Sequence, residues 1–175
     1  GIAETGPVDA ADVPDAEKSL PWVSTYAGST CGFPKAGSQL HDARFGAVRD
    51  VLVEPTGNVL FATSGTVLRG VGTILQVVAG QPAGVYGDGP TSKAGFDGIQ
   101  ALALGSDGSI YVAETNSVRR ILKGQVTTFA GKYKEKGHVD GPVGSSRFAG
   151  IREVAVDVDG SLLVGDVYYV RRISG

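Results

Sequence analysis

Short apolar runs separated by turn residues fill most of the chain after its first forty residues. Within each run, Val, Ile, Leu, Phe and Tyr recur at a spacing of about two or follow one another in fours, and Gly, Asp, Asn and Pro stand between the runs. This pattern is typical of strands joined by tight turns. In the middle of the chain it predicts four strands, at residues 99–104, 110–113, 118–122 and 125–130.

The same strand pattern occurs three times, with phenylalanine and glycine anchors at separations of 51 and 52 residues. The anchors are Phe45, Phe96, Phe148, Gly57, Gly108 and Gly160. Each of the three glycines follows Thr or Asp, where a hairpin turn needs a positive φ, so we interpret them as structural turn residues. Four antiparallel strands repeated every 40 to 50 residues or so predict the blades of an all-β propeller.

Two of the copies carry a more specific pattern. It lies in "GIQALALGSDGSIYVAETNSVRRI" followed by "VTTFAG", and in "GIREVAVDVDGSLLVGDVYYVRRI" preceded by "HVDGPVGSSRFA". These segments resemble NHL repeats, and the resemblance implies a propeller of four-stranded blades, three of them in this chain, as a partial ring or half of a six-bladed one. The first copy departs from the pattern, because Thr63, Ser64 and Gly65 stand where the family usually carries an acidic residue and Asn.

The repeats divide the chain into a leader at residues 1–20, expected to be extended or flexible, and a three-bladed segment at 21–175. The blades are expected at about 43–80, 94–131 and 146–175, and the third lacks a last strand. Residues 21–28, which end in Tyr26, Ala27 and Gly28, match the last strands of the first two blades and are expected to supply it. Three blades do not close a ring, so we expect either a homodimer formed by strand exchange or further blades of the same propeller.

Composition narrows the classes of partner. The chain has 175 residues, is 42% hydrophobic and has a net charge of -2. This charge argues against nucleic acid as a partner. The lone Cys31 forms no internal disulfide. No apolar run long enough to insert in a membrane is present, and the absence of Met favours a processed chain in an extracellular or luminal compartment.

Acidic residues at strand ends are the candidate metal ligands. Glu54 and Asp157 follow the first strand of a repeat, and Glu114 and Asp166 follow the second. Carboxylates at one end of a propeller line its central funnel, where they could hold Ca²⁺, although no cofactor is required by the pattern. Asp88 and Asp140 precede Gly-Pro and are expected to cap turn amides.

Basic and aromatic residues are the candidate binding residues. Arg119 and Arg171 belong to Arg-Arg pairs, and one arginine of each pair is expected to meet the acids of the second strand between blades while the other meets solvent. Lys132, Tyr133 and Lys134 form a short basic, aromatic-interleaved run.

No nucleophile or metal-protease motif is present, so we expect no catalytic residues. The sequence favours a non-catalytic protein-interaction or scaffolding module within a larger assembly. The resemblance leaves two alternatives, since NHL-like and six-bladed propellers include metal-dependent lyases and lactonases as well as RNA-binding modules. A lyase-like or lactonase-like enzyme is the first alternative, and a glycan- or RNA-binding propeller is the second.

Overall fold

A computed structural model describes residues 23–31, 35–81 and 86–174, so the predicted leader at 1–20 lies outside the described residues. The described residues form strands and turns with no helix, and thus none long and apolar enough to cross a membrane. The chain is all-β and consists of several antiparallel sheets. A short parallel pair, β1 (Thr30–Cys31) and β2 (Arg44–Phe45), precedes them.

The first sheet contains four antiparallel strands in sequence order. They are β3 (Asp50–Val53), β4 (Val59–Ala62), β5 (Val67–Val71) and β6 (Ile74–Ala79). The second sheet has the order β7-β11-β10-β9-β8. Its strands are β7 (Gly89–Pro90), β8 (Ala101–Leu104), β9 (Ile110–Ala113), β10 (Ser117–Leu122) and β11 (Gln125–Gly131). The third sheet has the order β12-β13-β14, with β12 (Ile151–Val156), β13 (Leu162–Asp166) and β14 (Tyr169–Ile173).

The predicted turn glycines take the backbone conformation that tight turns require. Gly57, Gly108 and Gly160 have φ of 85°, 80° and 84°. Their amides donate to carbonyl oxygens three residues earlier, at 2.8, 3.0 and 2.9 Å. The three glycines therefore lie in tight turns at positions that need a positive φ.

Each sheet packs one face on the next. Two buried clusters fill the spaces between sheets, and a third covers part of the free face of the first sheet, where Leu40 and Ala43 pack on Phe61, Leu68 and Leu75. One buried cluster contains Leu60 and Val67 of the first sheet, Val112 of the second sheet, and Ile99, which precedes β8. A second cluster joins Tyr111 and Val118 of the second sheet to Phe148, Ile151 and Leu162 of the third. The second sheet therefore lies between the other two.

Hydrogen bonds fix the order of the sheets. The Ile99 amide donates to the Ser64 carbonyl of the β4–β5 turn at 2.9 Å, and the Ile151 amide donates to the Thr115 carbonyl of the β9–β10 turn at 2.8 Å. The hairpin tip of one sheet thus holds the entry to the next. The first strands of the two sheets are also joined. The Leu102 amide of β8 donates to Asp50 Oδ2 of β3 at 2.6 Å, so β3 lies beside β8.

Residues 23–28 form no strand in the described structure, and Pro21 and Trp22 lie outside the described residues. The end of this segment is fixed beside the first sheet. The Gly28 amide donates to the Leu40 carbonyl at 2.8 Å, and the Leu40 amide donates to the Thr73 carbonyl of the β5–β6 turn at 2.7 Å. Gly28 has a φ of 96°, and a Cβ there would lie 2.9 Å from the Phe45 ring. Gly131 meets the Phe148 ring in the same way, at 2.8 Å. Within one chain the segment therefore lies beside the first sheet rather than on β14, and the predicted pairing of 21–28 with the third blade stays a prediction that concerns another chain.

Candidate functional site

A fully buried arginine on the central strand organises one end of the second sheet. The side chain of Arg119, on β10, is 0% exposed. Its Nη2 donates to Asp88 Oδ1 at 2.7 Å and to the Gly87 carbonyl at 2.8 Å. Its Nη1 donates to Glu114 Oε2 at 3.5 Å and to the Gly95 carbonyl at 3.3 Å. The guanidinium therefore ties the loop before the sheet to the end of β9.

The third sheet repeats this arrangement with every partner shifted by 52 positions. Arg171 Nη2 donates to Asp140 Oδ1 and to the Val139 carbonyl, both at 2.7 Å. Its Nη1 donates to Asp166 Oδ2 at 3.3 Å and to the Arg147 carbonyl at 2.6 Å. We call each of these sets an arginine clasp, one on Arg119 and one on Arg171.

Aromatic rings enclose both clasps. The Arg119 guanidinium lies 4.6 Å from the centroid of the Tyr86 ring, and that of Arg171 lies 4.5 Å from the centroid of Phe148. Tyr133 stacks on the outer side of Tyr86 with centroids 3.6 Å apart. A planar cation between ring and carboxylate is well suited to a structural role, because its charge and its faces are both satisfied.

The first sheet has no such clasp. Leu68 and Thr63 occupy the positions that correspond to Arg119 and Glu114, 51 residues earlier. Leu68 is fully buried, and Thr63 Oγ1 donates to the Thr66 carbonyl at 3.4 Å. The departure of the first copy from the repeat pattern thus replaces a buried ion pair with an apolar contact.

The second arginine of each pair lies on the opposite face of its strand from the clasp arginine and is part-exposed, and we call it the outer arginine. Arg120 Nη2 contacts Asp107 Oδ2 at 2.5 Å, and Arg172 Nη2 contacts Asp157 Oδ2 at 2.7 Å. Arg69 pairs with Glu54 in the same way, at 2.7 Å. Arg119 and Arg171 pair with the acids at the end of the second strand, but within their own sheets and not between blades as expected. The outer arginines pair with turn acids instead of facing solvent alone.

The hydrogen-bond partners of Asp88 and Asp140 differ from those that the sequence predicts. Both were expected to cap turn amides, whereas both accept hydrogen bonds from a buried guanidinium. Asp88 Oδ1 also accepts a hydrogen bond from Thr128 Oγ1 of β11, at 3.0 Å. The cation draws these carboxylates because a charged donor outweighs a neutral turn amide.

The four candidate metal ligands lie in separate places. Glu54 and Asp157 pair with outer arginines, and Glu114 and Asp166 belong to the two clasps. Asp166 Oδ1 also accepts the amides of Ala149 and Gly150, at 2.9 and 2.7 Å. Across the described part of the chain, no group of three or more His, Cys, Asp or Glu side chains converges on a position for a metal ion.

Burial raises the pKa of Glu114 above its usual value, and the hydrogen bonds that it accepts oppose that shift. The Asp97 amide donates to Glu114 Oε1 at 2.6 Å, and Ser117 Oγ donates to Oε2 at 2.8 Å. The carboxyl group faces the inside of the clasp and is 2% exposed as a residue, so it is not placed to meet a substrate.

The candidate binding residues Lys132, Tyr133 and Lys134 make contacts within the chain. Lys132 Nζ lies 2.5 Å from Glu135 Oε1, and Tyr133 is stacked on Tyr86. Lys134 Nζ lies 4.9 Å from the centroid of the Tyr133 ring, and a hydrogen bond to Tyr133 raises the pKa of Lys134. Arg119 and Arg171 lie inside the clasps, away from the surface that a glycan or RNA would contact.

An apolar surface on the first sheet is the feature that sequence reasoning missed. Three exposed valines, Val48, Val51 and Val53, lie beside Phe45 and Phe61 around a concavity of about 400 Å³. We call this surface the open face. The 51-residue repeat relates these positions to positions in the second sheet. The corresponding residues of the second sheet form the core against the first sheet. Those second-sheet residues are Phe96, Ile99, Leu102, Leu104 and Val112.

The arrangement defines an all-β chain of stacked antiparallel sheets, with an apolar end face that is partly exposed. No family model matches the chain, and no curated protein matches it. In fold it is similar to the crystal structure of an auxiliary nutrient binding protein from Bacteroides ovatus ATCC 8483, with a TM-score of 0.64 and 22% identity over 77% of this chain and 39% of that one. An auxiliary nutrient binding protein from Bacteroides thetaiotaomicron VPI-5482 is similar with a TM-score of 0.61 and 22% identity, over 71% of this chain and 36% of that one.

A third solved structure, a protein of unknown function from Bacteroides thetaiotaomicron VPI-5482, gives a TM-score of 0.60 and 16% identity over 67% of this chain and 32% of that one. This chain therefore spans less than two fifths of the length of each of the three. At these identities the similarity shows the fold alone.

Proposed function

We propose that this chain is a non-catalytic protein-interaction module whose three sheets are NHL-like blades of a β-propeller, and that it works as part of a larger assembly. The open face supports this proposal most directly. Val51 is 56% exposed, while Leu102, the corresponding residue of the second sheet, is 4% exposed because it packs on the first sheet. The open face therefore has the residues of an inter-sheet interface, and within the described chain Ala27, Leu40 and Ala43 pack against part of it.

The chemistry of the described polar clusters supports a non-catalytic role. The carboxylates of the two clasps are held by a guanidinium and backbone amides, so they are already satisfied as hydrogen-bond acceptors. A catalytic acid or base needs to reach a substrate, and Glu114 is buried. The similar solved structures described as nutrient binding proteins agree with a binding role in general, at the level of the fold.

The test is self-association of the full chain, measured by sedimentation velocity over a range of concentrations. We expect the chain to associate, and Val51→Glu to abolish association by placing a charge in the interface. Val158→Glu is the matched control, because Val158 is fully exposed in a turn away from the open face. Association that Val51→Glu leaves unchanged would contradict the proposal.

A further inference from the structure

The third sheet has a groove where the second sheet has a strand. In the second sheet, β11 lies between β10 and β7, and Val126 pairs with Gly89 of β7 on one side and Ile121 of β10 on the other. The corresponding positions in the third sheet are Gly141 and β14. Between them lies a groove of about 470 Å³, lined by Asp140, Gly141, Pro142, Phe148 and β14. We call it the strand groove.

Beside the strand groove, the Asp140 side chain is more exposed than its counterpart Asp88, which lies beside β11 in the second sheet. The Asp140 side chain is 85% exposed, whereas that of Asp88 is 49% exposed. The difference has a local cause, since Thr128 of β11 donates to Asp88 and no described residue of the chain occupies the corresponding place beside Asp140. The groove therefore offers the backbone edge of β14 for strand pairing and the Asp140 carboxylate as an acceptor for a hydrogen bond from a hydroxyl group.

Residues 23–28 of the chain fit this groove in sequence. They read "VSTYAG", and the last six residues of β11 read "VTTFAG", so an offset of 103 positions places Val23 on Val126 and Thr25 on Thr128. Thr25 would supply the hydroxyl for Asp140. Val23 is 97% exposed and Val126 is 0% exposed, so Val23 has the residue type of a core position without a core around it.

The chain cannot place this segment in its own groove. Gly28 is held on the first sheet by Leu40 and Phe45, and the second sheet stands between the first sheet and the third. At the second and third sheets, the glycine that meets the Phe ring lies at or directly after the end of the last strand of the preceding sheet, as Gly131 does at Phe148 and Gly80 does at Phe96. By the same geometry, Gly28 ends the last strand of whichever sheet precedes the first.

We propose that the occupant of the strand groove is residues 23–28 of a second copy of this chain. This inference rests on the proposed function and names its partner. Each copy gives its segment to the third sheet of the other, so the open face of one copy meets the exposed face of the other's third sheet. The exchange is twofold and isologous, and it closes six sheets into one ring, within the usual range of four to eight blades.

The register of the exchanged strand follows from β10 and β11. Arg120 pairs with Thr127 in the second sheet, so Arg172 of one copy pairs with Ser24 of the other. Cα atoms of directly opposed residues lie about 4.5–5.5 Å apart, which a disulfide spans. In a Cys31→Ser background, Ser24→Cys with Arg172→Cys is expected to give a covalent dimer on oxidation by oxidised glutathione. Ser24→Cys with Val158→Cys is the control and is expected to give no specific bridge.

A second variant tests the exchange without cysteine. Val23→Asp leaves the single chain intact, because Val23 is exposed there, but buries a carboxylate in the dimer. We expect it to weaken dimerisation by at least about a hundredfold, and Val158→Asp to leave dimerisation unchanged.

The outcomes separate the two proposals. Association that is lost in Val51→Glu but is indifferent to Val23→Asp, with no bridge between positions 24 and 172, overturns the strand exchange and leaves the interaction module standing. A chain that stays monomeric at every concentration overturns both.

Discussion

Removing the guanidinium of the second-sheet clasp should destabilise the chain more than any change at the outer arginines. Arg119→Leu leaves the Glu114 carboxylate buried without its cation and leaves the Gly87 and Gly95 carbonyls without a donor. Breaking a buried ion pair by removing one partner costs about 3–5 kcal/mol. Arg119→Leu is therefore expected to lower the free energy of unfolding by that amount.

The first sheet provides the compensating change. Glu114→Thr with Arg119→Leu installs the residue types that the first sheet holds at Thr63 and Leu68, and removes both charges together. Replacing a buried pair with apolar groups is often nearly neutral, so the double variant is expected to recover at least about 2 kcal/mol relative to Arg119→Leu.

Urea unfolding followed by far-ultraviolet circular dichroism measures both effects. With a slope of about 2 kcal/mol per molar urea, Arg119→Leu should move the midpoint down by roughly 2 M. Arg120→Leu is the matched control, because its pair with Asp107 is part-exposed and should contribute about 1 kcal/mol or less. If Arg119→Leu costs less than about 1 kcal/mol, or if the double variant is no more stable than the single one, the clasp is not the buried ion pair that its geometry describes.

Three further predictions concern the clasp and the sheet packing. Because the pKa of Glu114 is raised in the folded chain, its contribution to stability is full below the unfolded pKa and is lost as the pH rises through the folded pKa. Urea unfolding at several pH values above 4.5 should therefore show the native chain losing stability relative to Glu114→Gln as the pH rises, and a difference that is constant with pH would contradict this. Gly131→Ala should cost several kcal/mol because its Cβ would lie 2.4 Å from the Asn116 carbonyl oxygen, whereas Gly108→Ala meets nothing within 4 Å and should cost about 1 kcal/mol in thermal unfolding. Phe148→Ala should cost about 3–5 kcal/mol, since the ring is buried beneath a guanidinium, and a loss below about 1 kcal/mol would show that the ring is not part of the core.

The strands were predictable because their signals are local. Residues 110–113 were predicted as a strand and form β9 (Ile110–Ala113), and 125–130 differs from β11 (Gln125–Gly131) by one residue. The predicted strand at 99–104 begins later, at Ala101, because the Ile99 amide bonds to the hairpin tip of the first sheet. That bond depends on how two sheets stack, which a hydrophobic pattern does not encode.

The clasps were predictable in part. The pairing of one arginine with the acid after the second strand followed from strand alternation, and Arg119 meets Glu114 five residues away. The contact with Asp88 spans 31 residues and depends on the path of a loop, so no local pattern marks it. The open face was missed because an exposed strand face and a buried one share the same alternation.

The stack of sheets has a thermodynamic consequence of its own. Each sheet shares a core only with its neighbour along the chain, so the free energy of the molecule is close to a sum of sheet terms and two junction terms, as in a linear array. The middle sheet draws on both junctions and an outer sheet on one. Thermal fraying thus begins at the ends, and joining those ends to each other would convert the two weakest sheets into sheets as well supported as the middle one.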